Sequence, residues 1–204
     1  MCGRFNIEFD DDKEIGEIIT KVDEKVRNNM YPSGYQMKRG DIYPTNIAPI
    51  LKKEKESIEP ELSCWGFPNY KNKGVIINAR SETAFQKNMF RTSLISRRCI
   101  IPSTGFYEWD KDKRKYFIRR PDTNALYMAG VYNYFNEESR FVILTTAANS
   151  SMETIHDRMP VILKREELKS WLFDDDCAND LMSQAMPELK LNLVQPPFEQ
   201  MTLF

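Results

Sequence analysis

The sequence predicts an α+β fold: a curled, mainly antiparallel sheet or open β-barrel-like core with flanking helices, in a single domain covering residues 1–204. Three observations predict it. Short β-branched or aromatic runs bounded by turn residues dominate the chain from residue 46 onward. Helical periodicity is confined to a few segments. No internal repeat, low-complexity tract or Gly/Ser/Pro-rich linker divides the 204 residues, a length that can bury one substantial core.

Taken in order, residues 11–29 place Ile15, Ile18, Ile19, Val22 and Val26 on one helical face, with acidic residues at the start where the helix dipole favours them. Residues 30–46 carry Pro32, Gly34, Gly40 and Pro44 and read as loop. Strands are predicted at NIAPILKK, GVIINAR, RRCIIPS, GFYEW, KYFIRR, LYMAGVYNYF, RFVILTTAAN and MPVILK, with a last one in the tail LKLNLVQPPF. KYFIRR alternates polar and apolar residues. FVILTT does not, which predicts a strand buried on both faces. Helices are predicted over SETAFQKNMFRTSLI and KREELKSWLF.

Composition narrows the function. The chain is 41% hydrophobic and 29% charged, ordinary for a globular protein, with a net charge of −1. A nucleic-acid partner would therefore meet a local basic patch rather than a basic molecule. No apolar run is long enough for a membrane span, and the N-terminus lacks the apolar stretch of a secretory signal, so the expected compartment is the cytoplasm, with no membrane partner. Cys2, Cys64, Cys99 and Cys177 form no CxxC pair and accompany a single histidine. That excludes the usual Cys/His zinc site, and a reducing compartment disfavours disulfides. No Gly-rich phosphate loop, Ser-centred elbow or HExxH motif is present, and no cofactor or metal is expected.

Four segments could carry chemistry. Cys2 follows the initiator methionine, which is commonly trimmed before a small residue. Trimming would leave a free 1,2-aminothiol, whose amine has a reference pKa near 7.7–8.0. The amine can form a Schiff base with an aldehyde. The thiol can then add to the imine and close a thiazolidine, which no internal cysteine can do. Gly3 allows close backbone approach, and Arg4 offers a partner for phosphate. In INARSET, Asn78 suits orienting an amine or ring and Arg80 suits gripping phosphate, although the segment also reads as a capped strand-to-helix turn. In GFYEW, Glu108 lies between Tyr107 and Trp109. Apolar surroundings would raise its pKa toward that of a useful proton donor; on an edge strand it would simply face solvent. In IHDRMP, the lone His156 sits beside Asp157 and Arg158, an arrangement that serves proton transfer or a structural turn equally.

The order MCGRF, WGF, NAR-S-E-T, GFYEW, IHDRMP resembles the SOS response-associated peptidase family, the abasic-site processing proteins, from residue 2 to about residue 163. The resemblance implies an abasic-site sensor that binds single-stranded DNA. Cys2, freed of Met1, would crosslink to the sugar aldehyde as a thiazolidine, with lyase-type Schiff-base chemistry and self-reversal. It implies that Asn78 positions the Cys2 amine, that Glu108 shuttles protons and that His156 protonates the sugar oxygen. Arg4 and Arg80 would hold phosphates, Trp109 and Pro44 would stack on or wedge against bases, and Thr145 would line the pocket. Gly3, Trp65 and Arg158 complete the implied DNA-contacting set, and Lys87 would stand in for a basic residue that the family often carries later in that helix. The implied partner is single-stranded DNA containing abasic sites, met by a monomer. Two other readings stay open: a cysteine-nucleophile peptidase or amidohydrolase that removes Met1 autoproteolytically, and a nonenzymatic single-strand binding module.

Overall fold

The structure, a computed structural model, describes residues 2–8, 12–32, 34–70 and 73–194. Its strands are β1 (Phe5–Ile7), β2 (Gly40–Ile42), β3 (Ile47–Glu54), β4 (Ser57–Trp65), β5 (Phe67–Pro68), β6 (Val75–Ile76), β7 (Asn78–Arg80), β8 (Arg98–Ser103), β9 (Gly105–Trp109), β10 (Lys115–Arg119), β11 (Leu126–Phe135), β12 (Glu138–Ala147), β13 (Arg158–Pro160), β14 (Ile162–Leu163) and β15 (Lys190–Leu193). Its helices are α1 (Lys13–Arg27), α2 (Ser81–Ala84), α3 (Asn88–Ser96), α4 (Leu168–Phe173) and α5 (Asp175–Ser183).

Strand β12 pairs with β4, β4 with β3, β3 with β8, β8 with β11, and β11 pairs back with β12. The predicted curled sheet is thus a closed five-stranded barrel, which leaves no free edge around the ring. Closure needs β8, β11 and β12 to converge. At Gly130 of β11 a Cβ would collide with the Ile101 side chain and lie 2.7 Å from the Val142 carbonyl, so a residue without one sits there. As FVILTT predicts, Phe141 to Leu144 are fully buried.

A second antiparallel sheet, in the order β15-β10-β9-β1-β2, packs against the barrel. Its inward residues Phe5, Ile7, Phe106 and Ile118 join the barrel's Trp65 and Phe141 in one hydrophobic cluster. Phe5 meets Trp65 edge-on at 5.1 Å, and Trp65 stacks on Phe141 at 6.2 Å. Helix α1 covers the core with Ile15, Ile19 and Val22, and Asp12 caps its first turn by accepting from the Glu14 and Ile15 amides.

Several elements differ from expectation. The single helix predicted after NAR is two, α2 and α3, broken at 85–87. Strand β4 is hidden in the sequence by its acidic residues and Pro60. The proline is tolerated because β12 joins β4 only at Cys64 and Trp65, leaving Pro60 beside β3 alone. Strand β2, within the predicted loop, owes its three residues to pairing with β1. Helix α5 is an unpredicted amphipathic turn pair capped by Asp174. The final strand is Lys190–Leu193; residues 195–198 of that prediction lie outside the described residues. No described helix is long and apolar enough to cross a membrane.

Candidate active site and nucleic-acid interface

Three segments far apart in sequence meet at Cys2. Strand β7 lies parallel to β12, Asn78 opposite Ile143 and Arg80 opposite Thr145, while Ala79 is buried in the core. The Asn78 Nδ2 donates to the Cys2 carbonyl at 3.0 Å. The Asn78 Oδ1 is buried and accepts from nothing among the described residues. A buried amide oxygen without a donor costs about 1–3 kcal/mol, so this atom is held ready for a donor that it does not yet have. The third segment is β9. Its Glu108 faces inward with Phe106 and is only 4% exposed. Burial above all, and then the Glu108 carboxylate, push the Cys2 thiol well above its ordinary pKa. Cys2 itself is 1% exposed, and its thiol donates to the Arg4 carbonyl at 3.6 Å. Met1 lies outside the described residues.

His156 belongs to a neighbouring cluster. Thr145 of β12 pairs with Arg80 on β7 and with Pro160 on β13, and His156 stands at the entry to β13. Its Nδ1 accepts the Arg158 backbone N–H at 3.0 Å, and the same atom lies 2.7 Å from the Asp157 carboxylate. The two contacts require opposite protonation states of Nδ1. With a lone pair on Nδ1 the ring accepts from the Arg158 amide; with a proton there it donates to Asp157. Protonating Nδ1 would exchange the Arg158 contact for the Asp157 ion pair. The Arg158 guanidinium binds Glu82 in bidentate fashion at 2.6 and 2.9 Å and donates to the Thr145 carbonyl at 2.6 Å. This pair holds the Glu82 carboxyl below its usual range.

Outside the core, one face of the second sheet gathers aromatic and basic groups. The Arg4 guanidinium lies 4.4 Å from the Tyr43 ring centroid, 5.1 Å from Trp109 and 5.7 Å from Tyr107. Asp41 sits 3.6 Å from Arg4 and accepts from Asn6 Nδ2 at 3.1 Å. Tyr43 and Trp109 are exposed, at 40% and 37%. Such a combination suits a single strand, with stacking surfaces for bases and cations for phosphates. On the other side of Asn78, a groove of about 470 Å³ is lined by Tyr70, Ile76, Arg80, Lys87 and Met89. Larger depressions, about 560 and 770 Å³, lie elsewhere, beside Tyr127 and beside Tyr35, and include none of these groups.

The structure therefore joins Cys2, Asn78 and Glu108, while His156 stands before β13, whose Arg158 reaches β12 at Thr145 and Ala147. Gly3 and Arg4 continue from Cys2 to the aromatic face, where Pro44 is half-buried in the turn after Tyr43. Arg80 is exposed, and Lys87 shares its groove. Two of the expected DNA contacts are buried in this structure. Trp65 is fully buried, and its Nε1 donates to the Ile77 carbonyl at 3.1 Å, so it anchors the entry to β7 rather than touching a strand. Thr145 is also fully buried behind Arg158, because it lies where β7 and β13 both pair with β12. Sequence reasoning missed Asp41, Tyr43 and Tyr70. Tyr43 borders Pro44, but nothing in the sequence brings it to Arg4; the pairing of β1 with β2 does that.

The SOS response associated peptidase family model matches residues 1–197. The abasic site processing protein YoqW of Bacillus subtilis (strain 168) is 37% identical over 189 residues, covering 84% of this chain and 80% of that protein. The abasic site processing protein YedK of Escherichia coli (strain K12) is 28% identical over 180 residues, covering 84% and 79%. Among solved structures, a Bacteroides thetaiotaomicron protein superposes with a TM-score of 0.73 at 22% identity, covering 95% of this chain and 92% of that one. A Bordetella bronchiseptica protein matches with the same TM-score and identity over 96% and 100%. With a family match along nearly the whole chain and relatives above 30% identity over most of both sequences, the chain belongs to the SOS response associated peptidase (SRAP) family.

Proposed function

We propose that this chain processes abasic sites in single-stranded DNA by forming a covalent crosslink through Cys2. The observation that carries the reading is the Asn78 side chain: it holds the Cys2 carbonyl with Nδ2 while its buried Oδ1 has no donor among the described residues. A free Cys2 amine is a donor of the kind that this oxygen lacks. The amine would add to the sugar aldehyde and lose one water, giving an imine. The thiol would then add across the C=N bond. A C–S bond forms, the thiol proton passes by way of Glu108 to the nitrogen, and a thiazolidine closes with no change of oxidation state.

The raised thiol pKa favours this route over a peptidase. A cysteine peptidase works through a thiolate, usually held down by a neighbouring imidazolium. Here burial above all, and then the Glu108 carboxylate, disfavour a thiolate. Cys2 therefore needs a base at the moment of attack, and a carboxylate beside it supplies one. His156 in its protonated form serves as acid toward the sugar oxygen, with Asp157 2.7 Å from Nδ1 as its ion-pair partner. The same imine, if not captured by the thiol, permits lyase cleavage of the strand.

The test is incubation with single-stranded DNA carrying one abasic site, read on a denaturing gel. A shifted band that Cys2→Ser abolishes, with a mass equal to the sum of the two molecules less one water, supports the reading. No shifted band from protein whose intact mass shows that Met1 is gone would sink it. Turnover of peptide or glutamine-type amide substrates in place of crosslinking would transfer the site to hydrolysis.

A further inference from the structure

We propose that Lys115 is a second backbone-phosphate anchor, so that the strand crosses the outer face of the second sheet with one phosphate at Arg4 and another at Lys115, on either side of Tyr107. This rests on the reading of the chain as a single-strand binder. Pairing fixes the geometry. Tyr107 donates its amide to the Arg4 carbonyl at 2.8 Å, and Phe5 pairs with Phe106, so Arg4 and Tyr107 share a face. Lys115 pairs with Trp109, two residues on, and shares that face from the opposite side. Across the sheet the order is Tyr43, Arg4, Tyr107, Lys115, on β2, β1, β9 and β10 or the residue that borders each.

The Lys115 ammonium lies 3.9 Å from the Tyr107 centroid, and among the described residues no carboxylate pairs with it. Its backbone is pinned: its carbonyl accepts from Val194 at 2.8 Å, so the cation is presented by a ladder rather than a loose loop. Burial first, and then the Arg4 charge, lower its pKa and Asp41 opposes them, while the carboxylates of this face, Asp41 and Glu8, are turned to Arg4, Asn6 and Tyr107. Asp41 is engaged by Arg4 and Asn6. An incoming phosphate relieves the repulsion between the two cations, while bases stack on the exposed Tyr43 and Trp109 rings.

The experiment measures binding of undamaged single-stranded oligonucleotide by anisotropy against KCl concentration, alongside crosslinking of abasic DNA at saturating concentration. Lys115→Met keeps the apolar stem on Tyr107 and removes the charge; Lys115→Arg restores it. Loss of one phosphate contact flattens the slope of log K against log salt by about 0.7, so the wild-type advantage over Lys115→Met shrinks by about 2.6-fold between 50 and 200 mM. Lys115→Arg keeps the wild-type slope, and the crosslinking rate at saturation is unchanged in both. A Lys115→Met slope equal to wild type overturns the anchor. If wild type binds with the expected slope difference but forms no crosslink, the anchor stands and the crosslinking reading falls.

Discussion

Replacing Glu108 with glutamine separates two roles that point in opposite directions. The side chain is 4% exposed on the inward face of β9, and glutamine nearly matches its volume, so packing is preserved. The negative charge disappears. Burial remains the first cause of the high thiol pKa, but the Glu108 contribution is gone, so the Cys2 thiol pKa falls. If thiolate supply limited the reaction, Glu108→Gln would crosslink faster near neutral pH. If Glu108 moves the proton, the rate falls by about 10²–10⁴, or about 2.7–5.4 kcal/mol of barrier. The assay is single-turnover crosslinking to abasic single-stranded DNA from pH 6 to 8, with undamaged-strand affinity and thermal unfolding as controls and alkylation rate against pH as the thiol readout. A variant with a lowered thiol pKa that crosslinks as fast as wild type would refute Glu108 as the proton shuttle.

Asn78→Ala should leave folding stability within about 1 kcal/mol, because losing the bond to Cys2 is offset by removing the partnerless Oδ1; urea unfolding checks the first part, and a strongly slowed crosslink checks the positioning role. Gly105→Ala should destabilise by about 1–3 kcal/mol, since its Cβ would lie 2.5 Å from the Phe117 ring and 2.6 Å from the Ile118 carbonyl; a melt unchanged from wild type would contradict the packing. Arg158→Met should cost about 1–2 kcal/mol, chiefly through the freed Thr145 carbonyl, because Glu82 is half-exposed; denaturant titration measures it. Alkaline pH should destabilise the fold. Cys2 and Tyr107 have folded pKa values raised above the unfolded ones, Tyr107 to about 12, so the unfolded state releases protons first. Their contribution is complete below about pH 9 and is lost as pH rises through 9–12; a flat unfolding free energy over that window would refute it.

Much of the site was legible because its chemistry resides in residue types. A cysteine after the initiator methionine, a glutamate between two aromatic residues and a lone histidine beside aspartate mark themselves as unusual in sequence. Strands with dense apolar content, such as Leu126–Phe135, were equally plain. Strand β4 was not, because its acidic residues and Pro60 carry no strand signal and are tolerated only where β12 is absent. Trp65 and Thr145 entered the candidate set through the family resemblance, yet both are fully buried. A motif records which residues accompany one another, and strand pairing decides which of them face outward.

The sequence by itself determined the α+β class and which candidate reactive groups the chain carries, since both follow from local residue chemistry and periodicity. Tertiary structure decided that the barrel closes and that Asn78 reaches Cys2 with one buried oxygen left over. It also decided that Arg4 meets Tyr43, Tyr107 and Trp109 on a single face. Those are consequences of register between segments up to about a hundred residues apart, and register is set by which faces can be buried together rather than by any one stretch of chain.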